Sequence, residues 1–302
     1  MKKLFATLAA LAVALGAAYA QDLASATELY NAGAEAISTD KASALKSFEQ
    51  ALEQASALGE EGAEIVKNCK NIIPNLTLSI AKDFAKESKF DEALVQLDAA
   101  VAAAAKHDAA DVASEAKGLI AQIKLNTKDY DGAAAAYKEI LDADPSNGNA
   151  ALRLGVALNG AGKTEEAKAA FEQAAANGQE ANANKQLGSI YLKEAAAALK
   201  EKKYADAVAA AAKVNDYTEN AQAWQIAGQA SQVSGKNNDA IMYFEKYLEA
   251  APTASNAGQV AYTVGVLYQQ AKNNAKAKEF YAKAVNDPKY GAEAKKMLDA
   301  LK

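Results

Sequence analysis

At five places along this 302-residue chain a small residue is followed twelve positions later by an alanine: Ala81 and Ala93, Ala121 and Ala133, Gly155 and Ala167, Gly228 and Ala240, Gly265 and Ala277. Four residues beyond each second member stands Leu97, Tyr137, Phe171, Phe244 or Tyr281, one helical turn along the same face. A fixed period of this kind specifies pairs of helices strung in series, each pair burying its apolar face against the next copy. Composition agrees. Alanine supplies 78 residues and proline four, and alanine is the strongest helix former, so the chain reads as all-α.

The fullest copy is Trp224, Ala227-Gly228, Ala240, Phe244 and Pro252, and the clearest spacing runs Leu154-Gly155, Leu158, Ala167, Phe171, Ala174. Further copies are Val264-Gly265, Tyr268, Ala277, Tyr281 and Ile120-Ala121, Ala133, Tyr137, Pro145. This resembles the tetratricopeptide repeat, whose pattern is W-x2-L-G-x2-Y, then A-x3-F, then P. The resemblance runs over residues 24 to 302 and is strongest from 114 to 291. It implies a right-handed α-solenoid of about seven helix pairs with a capping helix at 292–302. In it, Gly155, Gly188, Gly228 and Gly265 permit close approach, with Ala167, Ala207, Ala240 and Ala277 opposite them. Phe171, Phe244 and Tyr281 then fill the space beside the next repeat.

Two copies depart from the spacing. Gly188 to Ala207 is 19 residues, seven more than elsewhere, and seven residues are close to two helical turns, so both helices of that copy are expected to lengthen without rotating their buried faces. Ala211 leaves its ring position empty. In the first copy Gly33 to Ala44 is 11 residues, with Phe48 following. Pro74 lies in a long helical stretch, 63–89, and is expected to kink it or mark its first turn.

Met1-Lys2-Lys3, the largely apolar Leu4 to Gly16 and Ala18-Tyr19-Ala20 have the three parts of a secretory signal peptide. Thirteen residues at ~1.5 Å rise fall short of the ~30 Å hydrocarbon core. Residues 1–20 are therefore assigned to the leader and 21–302 to the repeat array, with the periplasm as the expected location and full secretion as the alternative. Loss of Lys2 and Lys3 takes the formal net charge from −5 to −7.

The same residue counts argue against several chemistries. Cys69 and His107 are the only cysteine and histidine, too few for a zinc site or an internal disulfide. Arg153 is the single arginine, and arginine supplies the fork that grips phosphate, so nucleic acid is not an expected partner. Gly160-Ala161-Gly162-Lys163-Thr164 echoes a P-loop, but Ala157 stands where its first glycine belongs and no strand precedes it. A turn explains the segment: glycine ends one helix and Thr164 caps the next. Glu165-Glu166, Asp91-Glu92, Asp129 and Asp131 mark the starts of second helices, where the dipole favours negative charge. Lysines at 67 and 70 beside Cys69 would lower its pKa, but a passive, half-buried thiol fits a cysteine without a partner histidine nearby. His107 reads as a surface residue between repeats. No cofactor, metal or catalytic set is expected.

The resemblance implies that first helices line a concave surface for an extended peptide or partner helix. The inward positions are then Asn149, Arg153, Asn182, Lys185, Ser189, Lys193, Gln222, Gln225, Gln229, Gln232, Gln259, Tyr262 and Gln269. Amides both donate and accept, which suits an extended backbone or sugar hydroxyls. Some chaperone-binding members clamp a terminal carboxylate with lysine and asparagine. Lys185 matches one element, but Ser189 stands where the asparagine belongs, so that activity is not carried over. The expected function is a non-enzymatic exported scaffold that binds a protein segment, within an envelope assembly or secretion system. A glycan-binding module is the alternative.

Overall fold

The computed structural model describes residues 22–301, so the assigned leader, 1–20, lies outside the described residues. They form two compact units, one ending at Gly162 and one beginning at Lys163. The first holds α1 (22–36), α2 (Lys41–Ala57), α3 (Ala63–Lys86), α4 (Phe90–Lys106), α5 (Ala110–Asn126), α6 (Tyr130–Ala143) and α7 (Gly148–Gly160). The second holds α8 (Thr164–Ala174), α9 (Glu180–Lys200), α10 (Tyr204–Tyr217), α11 (Ala221–Val233), α12 (Asn237–Ala250), α13 (Ala257–Gln270), α14 (Asn274–Ala284) and α15 (Gly291–Ala300). A π-helical turn, Ala175–Gln179, joins α8 to α9. The fold is all-α. Within each unit, helices pack chiefly on their neighbours in sequence, as a repeat array requires.

The alanine of the repeat is the fourth residue of every second helix from α2 to α14. Ala44, Ala93, Ala133, Ala167, Ala207, Ala240 and Ala277 are all 0% exposed. What faces the first-helix glycine, however, is not that alanine but the ring one turn later. A Cβ on Gly228 would sit 2.5 Å from Cδ1 of Phe244, and one on Gly265 would sit 2.7 Å from Cδ1 of Tyr281. In the first copy the Phe48 ring lies 3.1 Å from the corresponding position on Gly33, with Tyr30 meeting its edge at 5.4 Å between centroids. The glycine is a seat for the ring.

The lengthened copy has a different register from the one the glycine suggests. α9 has 21 residues but α10 keeps the 14 of α6 and α12, so only the first helix lengthens. Twelve residues before Ala207 stands Ala195, fully buried like Ala211, and this alanine takes the place of the repeat glycine. With no ring at Ala211 a methyl fits there. Gly188 lies two turns earlier and meets Thr218 instead, whose Cγ2 would be 2.6 Å from its Cβ. It lets the first half of α9 pass the end of α10.

Each hairpin turn from α3–α4 to α13–α14 uses a left-handed residue. Ser88, Lys128, Lys202 and Lys272 have φ of 60–64°, and Gly162 and Gly235 have 78° and 76°. The following residue then bonds back five positions, as in Lys203 N–H to the Ala198 carbonyl at 2.9 Å and Lys236 N–H to Ser231 at 2.9 Å, closing the helix end. In the Gly160–Thr164 segment the capping position belongs to Lys163, with no side-chain cap, and Thr164 is already the first helical residue. Pro74 lies well inside α3 and is fully buried. It does not mark the first turn, and its missing N–H leaves the Lys70 carbonyl without a helical donor.

The C-terminal cluster gathers Phe244, Val264, Phe280, Tyr281 and Ala294, and Met297, Leu298 and Leu301 of the last helical segment pack against it. α15 covers the end of that core. Among the described residues no helix is long and apolar enough to cross a membrane.

Gly228→Ala is expected to lower unfolding free energy by about 1–3 kcal/mol, because Phe244, itself 3% exposed, has nowhere to withdraw. A further Phe244→Leu change should recover part of the loss in chemical denaturation. Gly118→Ala, where a Cβ meets nothing within 4 Å, should instead stabilise by about 0.5–1 kcal/mol. Lys202→Gly should raise the melting temperature by removing a left-handed penalty of about 1 kcal/mol, and an unchanged or lower value would contradict the turn geometry.

Candidate functional site

The glutamine stripe is built by α11. Asn220 accepts from the Ala223 N–H at 3.2 Å to start the helix, and Ala223, Ile226, Ala227 and Ala230 then commit one face to the core. Gln222, Gln225, Gln229 and Gln232 recur at intervals of three and four on the other face. Gln222, Gln229 and Gln232 are exposed and Gln225 is half-buried. These four side chains make no hydrogen bond among the described residues.

Asn182, Lys185, Ser189 and Lys193 form the same spacing on α9 and are exposed, and α9 packs directly on α11. The structure thus brings these two stripes onto touching helices. Asn182 is engaged within its own turn, donating to Gln179 at 3.1 Å. On α13, Gln259 is exposed, but Tyr262 and Gln269 are committed to packing, contrary to the expectation from spacing. Tyr262 stacks on Tyr290 at 5.3 Å and lies 5.8 Å from the Tyr281 ring. Tyr281 donates its hydroxyl to Gln269 at 2.6 Å. Burial pushes Tyr281 up to about 12, so it donates throughout the physiological range. Asn149 and Arg153 are exposed on α7, in the N-terminal unit.

Of the structural repeat positions, Trp224 is half-buried, stacks on Tyr243 at 6.0 Å and carries the Lys246 ammonium 4.3 Å above its ring. Gly155 and Phe171 are both buried, in the first and second units respectively.

The sequence did not reveal the centre around Lys168. This lysine is 9% exposed. Its Nζ lies 2.9 Å from Glu165, 2.7 Å from Glu194 and 4.5 Å from the Tyr191 ring centre, and Tyr191 stacks in parallel with Tyr217 at 5.7 Å. Burial works against the ammonium charge, but hydrogen bonds to Glu194 and Glu165 outweigh it and hold its pKa above the ordinary lysine value. The arrangement ties α8 to α9 and keeps the lysine charged. The one readable signal was Tyr191, four residues before Ala195, which is where Trp224 stands relative to Gly228.

Cys69 is fully buried rather than half-buried, and desolvation pushes its thiol up to about 11, so its neighbouring lysines do not activate it. His107 ends α4 and is half-buried. The acidic residues serve local structure: Asp129 accepts from the Gly132 N–H at 3.0 Å, while Asp91 and Glu92 occupy the first turn of α4. Among the described residues no three metal-ligating side chains come together.

Comparison with known proteins accords with this architecture. The tetratricopeptide repeat pattern matches residues 78–148, 124–190, 221–253 and 258–286. No curated protein matches the chain in sequence. Among solved structures, a tetratricopeptide repeat protein from Parabacteroides merdae is 14% identical, covering 92% of this chain and 98% of its own, with a TM-score of 0.39. The TPR2AB domain of yeast Sti1, solved as a pHSP90 complex, is 16% identical over 95% and 97%, at 0.41. YrrB, described as having an unusual peptide-binding site, is 23% identical over 58% and 88%, at 0.32. With its helix pairs, its buried alanines and matches over most of its length, the chain belongs to the tetratricopeptide repeat family.

Proposed function

We propose that this protein is a non-enzymatic, exported scaffold that binds an extended segment of a partner protein along α9 and α11, extending to Gln259 on α13. The observation that carries the reading is the row of four α11 glutamines without intramolecular hydrogen bonds. A solvated helix face in an acidic protein ordinarily carries Glu and Lys. Unpaired amides at this spacing instead offer donors and acceptors together, the complement of an extended peptide backbone. Lys185 and Lys193 on the adjoining α9 stripe add positive charge at one side.

Export follows from the leader-like residues 1–20, and an envelope assembly or secretion system is the setting such a leader and such a surface suit. Secretion beyond the envelope is the second location. A glycan is the competing occupant of the amides, and titration calorimetry with cell-wall and polysaccharide fragments tests it: saturable heat from these fragments would replace the peptide reading.

Gln225→Glu with Gln229→Glu is expected to weaken capture of envelope proteins by the chain beginning at Gln21 by about tenfold or more, since two donor amides are lost and charge is introduced. Helicity and melting should stay unchanged, both residues lying outside the core. Equal capture by the variant would remove the α11 face from the function. N-terminal sequencing of the exported chain should begin at Gln21.

A further inference from the structure

Two adjoining clefts of about 510 and 720 Å³ lie where α2, α3 and the end of α4 meet, and Ser56, Lys70 and His107 line both. Lys67 and Asn71 complete the first, and Lys106 lies on the second. Lys67, Lys70 and Asn71 are spaced three and four residues apart on α3 and so share a face. Lys67, Lys70 and Lys106 enter no ion pair among the described residues. All three are exposed, and although carboxylates outnumber cations in the chain, 38 to 33, none of them neutralises this group, which leaves it open to an external anion. Glu49 and Glu53 line the second cleft without pairing with these lysines.

His107 closes the arrangement. Its Nδ1 is buried and has no hydrogen-bond partner, so no acceptor in the protein offsets the cost of charging the ring. Like charges at Lys67 and Lys70 also repel across one turn. One ligand chemistry answers both: an oxyanion accepts from ammonium and carboxamide together, and its charge favours the imidazolium beside them. We propose that the cleft between α2, α3 and the end of α4 binds a small oxyanion group, phosphate or carboxylate, through Lys67, Lys70 and Asn71, with His107 on its wall and Lys106 at its edge. This site stands apart from the α9 and α11 stripes and does not depend on their role.

The single histidine reports on it directly. Burial, then Lys106 and Lys70, hold His107 below the ordinary histidine pKa, with Asp108 opposing. An anion seated among the lysines reverses their effect, so proton NMR of the His107 ring in the full mature chain should show its pKa rising saturably with inorganic phosphate against chloride at matched ionic strength. Lys67→Ala with Lys70→Ala should raise the phosphate-free pKa and weaken the phosphate response by about tenfold or more. Lys70→Glu should abolish the response, and thermal melts confirm that both variants fold. Acetyl-alanine against its amide separates the sources: a response to the acid alone marks a chain-terminal carboxylate, and a response to phosphate alone marks a phosphate group. No saturable shift with either anion, or an equal shift in the lysine variants, overturns the site.

Discussion

Close approach between the two helices of a repeat is the constraint from which the rest follows. A ring on the second helix sits where a Cβ would otherwise be on the first, as Phe244 does on Gly228 and Tyr281 on Gly265. One turn earlier the fully buried alanine leaves no room for a larger side chain. Both contacts are short-range repulsions that fix the distance and rotation of the pair before any attractive term is counted. The apolar clusters, from Phe48 with Cys69 and Ile73 to Phe244 with Val264 and Tyr281, form because these pairs present their flanks to the next helix in line.

The fold was legible because its determinants are local and periodic. A twelve-residue spacing counts along one helix, across a turn and into the next, so Ala93, Ala133, Ala240 and Ala277 could be placed from order alone. Gly188 misled for the same reason: a glycine near the right distance looks like the repeat glycine, but the ring that gives that glycine its purpose is missing at Ala211. Counting back from Ala207 to Ala195 restores the register, and only the geometry showed that the alanine served. The turns were half legible. Glycine at 162 and 235 announces a left-handed residue, whereas Lys128, Lys202 and Lys272 adopt the same conformation with a side chain that gives no warning.

The candidate sites divide along a similar line. The α11 glutamines were visible because helical phase alone assigns them a face. Tyr262 and Gln269 have the right phase too, yet Tyr290 stacks on the first and Tyr281, twelve residues on, donates its hydroxyl to the second. Lys168 and the surroundings of His107 were invisible for a stronger reason. Lys168 reads as one more surface lysine until Glu194 and Tyr191, 26 and 23 positions away, are brought against it. His107 meets Lys70 and Ser56 only because α2, α3 and α4 fold together. Periodicity says which face a residue is on; it does not say which distant charge arrives there.

The long α9 links register to exposed surface. In an antiparallel hairpin a residue farther from the turn on one arm meets a residue equally farther on the other. Gly228 and Phe244 are sixteen positions apart, while Gly188 and Thr218 are thirty, seven more on each arm. Thr218 already closes α10, so the turns of α9 before Gly188 run past the end of their own partner. Asn182 and Lys185 lie on those turns. Ala183 and Leu187 on the same turns are fully buried, and α9 also meets α8 and α11, so the face without a packing duty is the exposed one that carries Asn182 and Lys185. Two extra turns keep the buried stripe in phase, so they add exposed surface to the array at no cost to the packing that defines it.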